Sequence, residues 1–346
     1  AGERMSSSRW SMILGAAVIV TAASLSGSAT MAKWKQSRHA ASVHREQVQQ
    51  AADNNTVPKA DRAMKAKLAQ HDARLRRLQA ELIARGDPDS LAAGALFESQ
   101  LSGSTGCSAL QLAARAVAGA PQRADLIYVQ LQLCQSAPGC DTAPLEARLR
   151  LLDPHNGIAW VYALLRADQA NDGVLWRMAR DGLSRSERVT MYWSDIVSHL
   201  TAAAAGKAGF DSSSAMIEVV GIEATLLTPL NPVSRACSER DIQQPEVLAQ
   251  CRRIAAAFRQ GDTQLFEGFG SGLALRLWPE GSAQRRAVIA ATRGLHYRMD
   301  LMNRNSAKLE SARATRALVA LYARFPTEQS ALRAWYVDMG LNPNPP

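Results

Sequence analysis

The 346-residue chain is poor in aromatic side chains, at 5%, and lacks the short signatures of most enzymes and metal sites. It has no CxxC or HExxH spacing, which leaves no basis for a zinc site. A phosphate-binding GxxxxGK[ST] loop is also absent, and the glycine-rich run at residues 268–272 fits neither GxSxG nor GxGxxG. We therefore predict no catalytic, cofactor-binding or metal-binding residues.

What the chain has in quantity is Ala, Leu, Arg and Gln, a mixture that favours helix over sheet. Hydrophobic residues make up 47% of the chain, enough to bury a substantial core. We therefore predict an all-α fold.

Positive charge is concentrated near the amino terminus. Lys and Arg outnumber Asp and Glu by 12 to 5 between residues 33 and 85, a surplus of +7, and residues 1–32 add +1. Since the whole chain carries +9, the other 261 residues carry only +1. A body this close to neutral lacks the basic surface that nucleic-acid binding needs, so we predict no nucleic-acid partner.

Residues 12–32 form an uncharged run flanked by Trp10 and Trp34. Its length suits one helical crossing of a membrane, and tryptophans favour the two membrane interfaces. Small residues in its second half also fit a cleaved signal peptide, which stays open as the alternative. Residues 1–35 are therefore predicted to be a membrane anchor or a signal peptide.

The charges and the cysteines predict opposite locations for the body of the protein relative to that membrane. Lys33, Lys35 and Arg38 follow the run and by themselves favour a cytoplasmic body. The five cysteines, however, include two pairs that flank short loops, as in disulfide-bonded proteins of oxidising compartments. Giving the cysteines more weight, we predict a bacterial inner-membrane protein with a periplasmic body. A cleaved, soluble periplasmic form and a cytoplasm-facing body are the alternatives.

The cysteine spacing predicts two disulfides. Cys237 and Cys251 bracket a proline-containing loop and the first part of a helix, and Cys134 and Cys140 bracket a tight connection. Cys107 is the alternative partner for Cys134, because a reversal of the chain at residues 120–121 would place them opposite each other. The sequence favours Cys134–Cys140, since a tight connection needs little rearrangement to reach a disulfide's Cα spacing of about 5.5 Å.

A basic helical stalk is predicted over residues 36–86, interrupted by turn residues and a proline at 53–58. Beyond the break, apolar residues alternate spacings of four and three, as in a short coiled coil or a helix docked on the body. This stripe consists of Met64, Leu68, His71, Leu75, Leu78 and Leu82. Such a stripe can pair two copies of the chain. A purely structural homodimer through the stalk is therefore the alternative function.

From residue 87 onward the sequence repeats every 33 residues. Proline recurs at 88, 121 and 154, tryptophan at 160 and 193, and cysteine at 107 and 140. Proline suits the first turn of a helix, and short Gly/Ser/Pro loops separate the two helices of a unit. The pattern predicts stacked helical hairpins over residues 87–206, with Trp160 and Trp193 in equivalent places.

The helix-opening Trp160 and Trp193 and the hairpin-closing Pro121 and Pro154 resemble those of the tetratricopeptide repeat. The resemblance covers about 120 residues, and its period is one short of the family's usual 34 or so. Leucines stand where the family has small residues in the first helix. The resemblance implies an α-solenoid whose first helices line a groove for an extended peptide or a helix of a protein partner.

By their position in the hairpin, Tyr128, Gln132, Val161 and Asp168 are the predicted partner-binding residues. We interpret the chain as a non-catalytic binding or scaffold module held at the membrane through residues 12–32. A helical cell-envelope enzyme of hydrolytic or lytic type is the catalytic alternative. Its expected Glu-Ser pair followed by a Gly-Leu-Met-Gln-like stretch is not found, and His199 has no neighbouring carboxylate pair in the sequence to build a triad.

Residues 207–346 stay helical in composition but lose the period, and we predict a helical cap. Residues 213–227 fit either a helix or a strand. Further helices are predicted at 244–260, 261–277, from about 282, 307–322 and 328–339.

Overall fold

The computed structural model describes residues 59–101, 106–226, 228–305 and 311–344. Within these ranges the chain forms fifteen α-helices and no strand, which confirms the all-α fold. The helices are α1 (Lys59–Arg85), α2 (Pro88–Gln100), α3 (Cys107–Gly119), α4 (Ala124–Ser136), α5 (Ala143–Leu152), α6 (Ile158–Ala170), α7 (Gly173–Ser184), α8 (Trp193–Ala204), α9 (Ser212–Thr225), α10 (Asn231–Ala236), α11 (Pro245–Arg259), α12 (Gln264–Leu277), α13 (Ala283–Arg304), α14 (Ala312–Tyr322) and α15 (Glu328–Asp338).

The predicted membrane segment, residues 12–32, and the first part of the stalk, residues 36–58, lie outside the described residues. Among the helices that the structure does describe, none is long and apolar enough to span a membrane.

The chain divides into two compact units, residues 1–77 and 78–346, and α1 contains the boundary. In the first unit, Met64 and Leu68 of the predicted stripe are exposed by 60% and 49%. In the second unit, Leu78 and Leu82 are fully buried, and the end of α1 packs close to Gly94 of α2. From Leu78 onward the stripe is therefore the docked face of a helix, and the dimer through the stalk stays a prediction.

The helix starts follow from the local sequence. Seven helices begin after an Asp, Ser or Thr whose side chain accepts a hydrogen bond from an amide of the first turn, which satisfies a donor that a helix start leaves open. These N-cap residues are Asp87, Asp172, Asp211, Thr263, Ser282, Ser311 and Thr327. Pro88 follows Asp87 at the first helical position, where its missing amide proton costs nothing.

Three helical hairpins follow one another along the chain: α2/α3, α4/α5 and α6/α7. Successive hairpins touch through α3 and α4, and through α5 and α6. The third hairpin turns on two residues, because Asn171 ends α6 in the left-handed conformation and Asp172 caps α7. Residues 88–184 thus form consecutive antiparallel pairs.

The fourth predicted hairpin departs from this arrangement. Helix α8 packs on α2, α4 and α14, and α9 packs on α2 and α14, whereas α7 is covered by α11. The reason lies in the composition of α8, which buries nine of its twelve residues. A helix that buries residues on most sides needs cover on several sides, and the end position of a regular stack does not supply it.

Trp160 and Trp193 consequently occupy different surroundings. Trp160 is the third residue of α6 and lies against Arg150 and Gly182. Trp193 is the first residue of α8, and its amide donates a hydrogen bond to the buried carboxylate of Asp262. The prediction that the two tryptophans are equivalent is wrong, because the 33-residue spacing persists in the sequence after the packing has changed.

In the carboxy-terminal part, all the regular secondary structure of the described residues is helical. Residues 213–227 fall almost wholly in α9, so the helix alternative holds and the strand alternative is wrong. Helices α11 and α12 pack together, as do α12 and α13, and α14 and α15. The helix predicted at 307–322 is described only from Ala312, after its cap Ser311.

A buried carboxylate fixes the start of α8. Asp262 accepts hydrogen bonds from the amides of Met191 and Trp193 over 3.0 and 2.8 Å, and Tyr192 between them adopts a left-handed backbone with φ of 58°. Burial raises the pKa of Asp262 to about 6, although the two amide hydrogen bonds oppose the shift. This arrangement holds the ring of Tyr192 against Tyr128 of α4.

Candidate binding groove

The four predicted partner-binding residues lie on α4 and α6, the first helices of the second and third hairpins. These two helices meet through Tyr128 and Tyr162, whose ring centroids are 6.2 Å apart in an edge-to-face arrangement. Tyr192 adds a third ring with its centroid 5.9 Å from that of Tyr128. The three tyrosines form the floor of the candidate groove.

Residues 228–236 of the same chain cover this floor, and we call them the strap. The strap consists of the end of the loop after α9 and the six-residue helix α10, which packs on α6. Thr228, Pro232 and Val233 are buried, whereas Asn231 and Arg235 are exposed. One face of the strap therefore packs in the groove while the other faces outward.

Each end of the strap makes a polar contact with a predicted groove residue. At its start, the hydroxyls of Thr228 and Tyr128 are hydrogen-bonded over 2.8 Å. Near its end, the guanidinium of Arg235 pairs with the carboxylate of Asp168 in the last turn of α6. The strap thus bridges the two helices that line the groove.

The structure brings the predicted groove residues together, but not as an open surface. Tyr128 and Val161 are fully buried and Gln132 is 2% exposed, whereas the side chain of Asp168 is 22% exposed. The amide of Gln132 donates to the carbonyl of Leu226, just before the strap, over 3.3 Å. Tyr128 and Asp168 therefore exchange their strap contacts for contacts with a partner only when Thr228 and Arg235 move aside.

A buried acid, Glu223, lies next to the strap. It is fully buried and accepts one hydrogen bond, from Nε2 of Gln132, over 3.1 Å. Oε1 of Glu223 and Oε1 of Gln132 have no hydrogen-bond partner within the described ranges. Burial raises the pKa of Glu223 to about 7, against the smaller opposing effect of the hydrogen bond from Gln132. This carboxyl group therefore changes its charge near neutral pH.

Sequence reasoning missed Glu223, Thr228 and Arg235, which all come from the region read as a cap. The signal present in the sequence is a pair of prolines, at 229 and 232, between a helix and Cys237. Prolines stiffen a connection, and a stiff connection of this length favours a packed segment over a free loop.

Both disulfides that the sequence favours are present. Cys237, the residue after the strap, is bonded to Cys251 of α11 with a Cα separation of 5.7 Å. Cys134 of α4 is bonded to Cys140 with a Cα separation of 5.3 Å. The alternative partner, Cys107, is exposed and unbonded. One disulfide thus anchors the end of the strap, and the other closes the loop after α4.

A separate charged cluster joins the starts of α2 and α4 to α8. Arg123 donates to Asp89 over 3.0 Å and to both carboxylate oxygens of Asp125 over 2.8 and 2.5 Å. Nδ1 of His199 lies 2.8 Å from Nη2 of Arg123 and 3.8 Å from Oδ2 of Asp125. Burial opposes ionisation of Asp125, but the hydrogen bonds from Arg123 and the nearby ring of His199 outweigh it and lower its pKa to about 2.

Folding therefore supplies the carboxylates that His199 lacks in the sequence. The contacts of Nδ1 are with a guanidinium and a carboxylate, which makes the cluster an ion-pair network across three helices. Among the described residues, no group of three or more His, Cys, Asp and Glu is placed to hold a metal ion. A comparison of the chain with models of known protein families, with curated proteins and with solved structures finds no match.

Proposed function

We propose that the chain is a non-catalytic binding module, similar in architecture to tetratricopeptide arrays, which holds a segment of a protein partner between α4 and α6. The observation that carries the proposal is the occupied groove. A segment of nine residues is held there by buried apolar side chains and by a polar contact at each end. Helical grooves recognise peptides with the same combination of buried anchors and polar end contacts.

The proposal places this module at a membrane, attached through residues 12–32 and with its body in an oxidising compartment. The two disulfides support the compartment, because such bonds persist where thiols are not kept reduced. The uncharged run between two tryptophans supports the attachment. A reporter enzyme that folds only where disulfides form, fused after Arg85, tests the orientation: activity is expected, and a silent reporter would place the body in the cytoplasm.

Site-specific photo-cross-linking in cells tests the binding role. A photoreactive amino acid at Gln169, exposed beside Asp168, is expected to capture one reproducible protein. The matched control is the same substitution at Met178, which is exposed on α7. Capture from Gln169 should also be lost on Asp168→Arg, in a protein whose melting temperature is unchanged. Equal capture from both positions, or none from Gln169, would refute the binding role.

A further inference from the structure

We infer that the strap is a built-in competitor for the groove, and that the partner segment it excludes shares its chemistry. That segment is a proline-containing stretch with a hydroxyl-bearing residue at its start and an arginine or lysine seven positions later. The inference rests on the proposed function and names the class of ligand that the groove takes.

The hydroxyl requirement comes from Tyr128. Its ring is fully buried, and its hydroxyl is hydrogen-bonded to Oγ1 of Thr228 over 2.8 Å. Threonine or serine in an incoming segment restores this bond, whereas an apolar residue would remove one hydrogen bond from a buried hydroxyl. The start of the groove therefore selects a hydroxyl.

The basic requirement comes from Asp168. Its side chain, 22% exposed, pairs with Arg235, which is itself 58% exposed. A carboxylate at the rim of a groove attracts a cation and repels an acidic residue, so it sets the direction in which a segment lies. The spacing follows from the strap, in which Arg235 stands seven positions after Thr228.

The prolines explain how a short segment competes at all. Pro229 and Pro232 restrict the strap, and Pro232 is buried in the groove. A segment that is already restricted loses less conformational entropy when it binds. A partner segment with prolines in these positions likewise loses less conformational entropy when it binds.

The strap is suited to displacement because its helix is short and its outer face is exposed. Helix α10 has six residues, too few for a helix that is stable by itself. Its outer face, with Asn231 and Arg235, is exposed, and the Cys237–Cys251 disulfide keeps its end close to the groove after release. A tethered segment competes at an effective concentration in the millimolar range, so a free peptide binds only weakly until the strap is weakened.

The test uses full-length protein in mild detergent and a fluorescent peptide with the sequence of residues 228–235, Thr-Pro-Leu-Asn-Pro-Val-Ser-Arg. Fluorescence anisotropy is expected to show weak binding to the wild type and at least about tenfold tighter binding to the Thr228→Ala/Arg235→Ala variant. The matched control is Arg185→Ala, which removes an exposed pair with Asp181 at the carboxy-terminal end of α7, the other helix of the hairpin. This control should bind the peptide as the wild type does.

A charge exchange tests the ligand class. In the opened variant, Asp168→Arg should lower the affinity for the peptide by about tenfold. A peptide with aspartate in place of its arginine should bind this variant with the original affinity. Equal binding of both peptides, or no gain in affinity on opening, overturns the inference. Should the double variant fold poorly, Arg235→Glu alone serves, since it changes an exposed side chain and is still expected to tighten peptide binding about threefold or more.

The two failures are distinguishable. If the opened variant binds the peptide while cross-linking from Gln169 captures no protein, the competing strap is supported and the binding role in the cell is refuted. If cross-linking succeeds and the peptide does not bind the opened variant, the groove has a partner of different chemistry and the inference is overturned.

Discussion

The indole of Trp160 fills the space beside Gly182 so closely that a Cβ atom on Gly182 would stand 2.4 Å from Cε2 of the ring. The guanidinium of Arg150 lies 4.4 Å from the centroid of the same ring. Trp160 therefore touches α5, at the end of the second hairpin, and α7, in the third. This one side chain helps to hold two hairpins together, and it requires a glycine on α7.

We expect Gly182→Ala to lower the free energy of unfolding by about 1–3 kcal/mol, because the added methyl group forces the indole to move in a packed site. Urea unfolding followed by circular dichroism measures the change. The control is Gly173→Ala in the first turn of the same helix, where the nearest atom would be Nη1 of Arg177 at 3.7 Å. Alanine there should be neutral or slightly stabilising, so equal stabilities of the two variants would contradict the role of Trp160.

Local features of this fold could be predicted from the sequence. The start of α13 after Ser282 and the Cys134–Cys140 bond depend on residues a few positions apart, and the sequence favoured both. The packing of α8 on α2 could not be predicted, because it depends on which helices distant in the sequence cover the apolar surface of α8. The 33-residue spacing indicates where each hairpin begins in the sequence. It does not indicate which helices the fourth hairpin packs against.

The site shows the same division. Hairpin position placed Tyr128 and Asp168 correctly on neighbouring helices. Their contacts with Thr228 and Arg235 join residues 100 and 67 positions apart, and no periodicity signals such pairs. The sequence therefore predicted on which helices Tyr128 and Asp168 lie, while their contacts with the strap were not predicted.

The thiols give a second prediction. Non-reduced protein should show one reactive thiol without denaturant, Cys107, and no further thiols when denatured, since the other four cysteines are bonded. Loop-closure entropy assigns about 2 kcal/mol of stability to the six-residue separation of Cys134 and Cys140 and about 3 kcal/mol to the fourteen-residue separation of Cys237 and Cys251. Urea unfolding of Cys→Ser pairs measures both losses. Five reactive thiols in protein from its native compartment would contradict the disulfides and the proposed location together.

The third prediction concerns His199, which faces Arg123, Asp89, Asp125 and Asp195. The nearby carboxylate of Asp125 raises the pKa of His199 above its ordinary value, while burial and Arg123 oppose the shift. A base with a raised folded-state pKa stabilises the fold fully below its unfolded pKa of about 6.5, and this stabilisation is lost as the pH rises through the folded value. His199→Gln should therefore cost more stability near pH 5.5 than near pH 8.5. The difference should be at most about 1 kcal/mol, because the ring is 43% exposed.

The control for this prediction is His155→Gln. His155 pairs with Glu187 over 2.9 Å, but both side chains are more than half exposed. An exposed pair contributes little, so the cost of His155→Gln should be at most about 0.5 kcal/mol at either pH. A larger loss near pH 8.5 than near pH 5.5 for His199→Gln would show that Arg123, and not Asp125, dominates the surroundings of the ring.

The fourth prediction concerns Glu223, whose buried carboxyl group has its pKa raised by burial from an ordinary value of 4.5 to about 7. An acid with a raised folded-state pKa binds more protons in the folded than in the unfolded protein, so stability is greatest below about pH 4.5 and falls as the pH rises from about 4.5 to about 7. Glu223→Gln removes this loss and adds an amide donor beside the unpartnered Oε1 of Gln132. We expect the variant to match the wild type near pH 4 and to exceed its free energy of unfolding near pH 8.5 by up to about 3 kcal/mol, as measured by urea unfolding. The matched control, Glu239→Gln in an exposed loop, should follow the wild-type pH curve. Parallel curves of stability against pH for Glu223→Gln and the wild type would mean that Glu223 does not change its charge in this pH range.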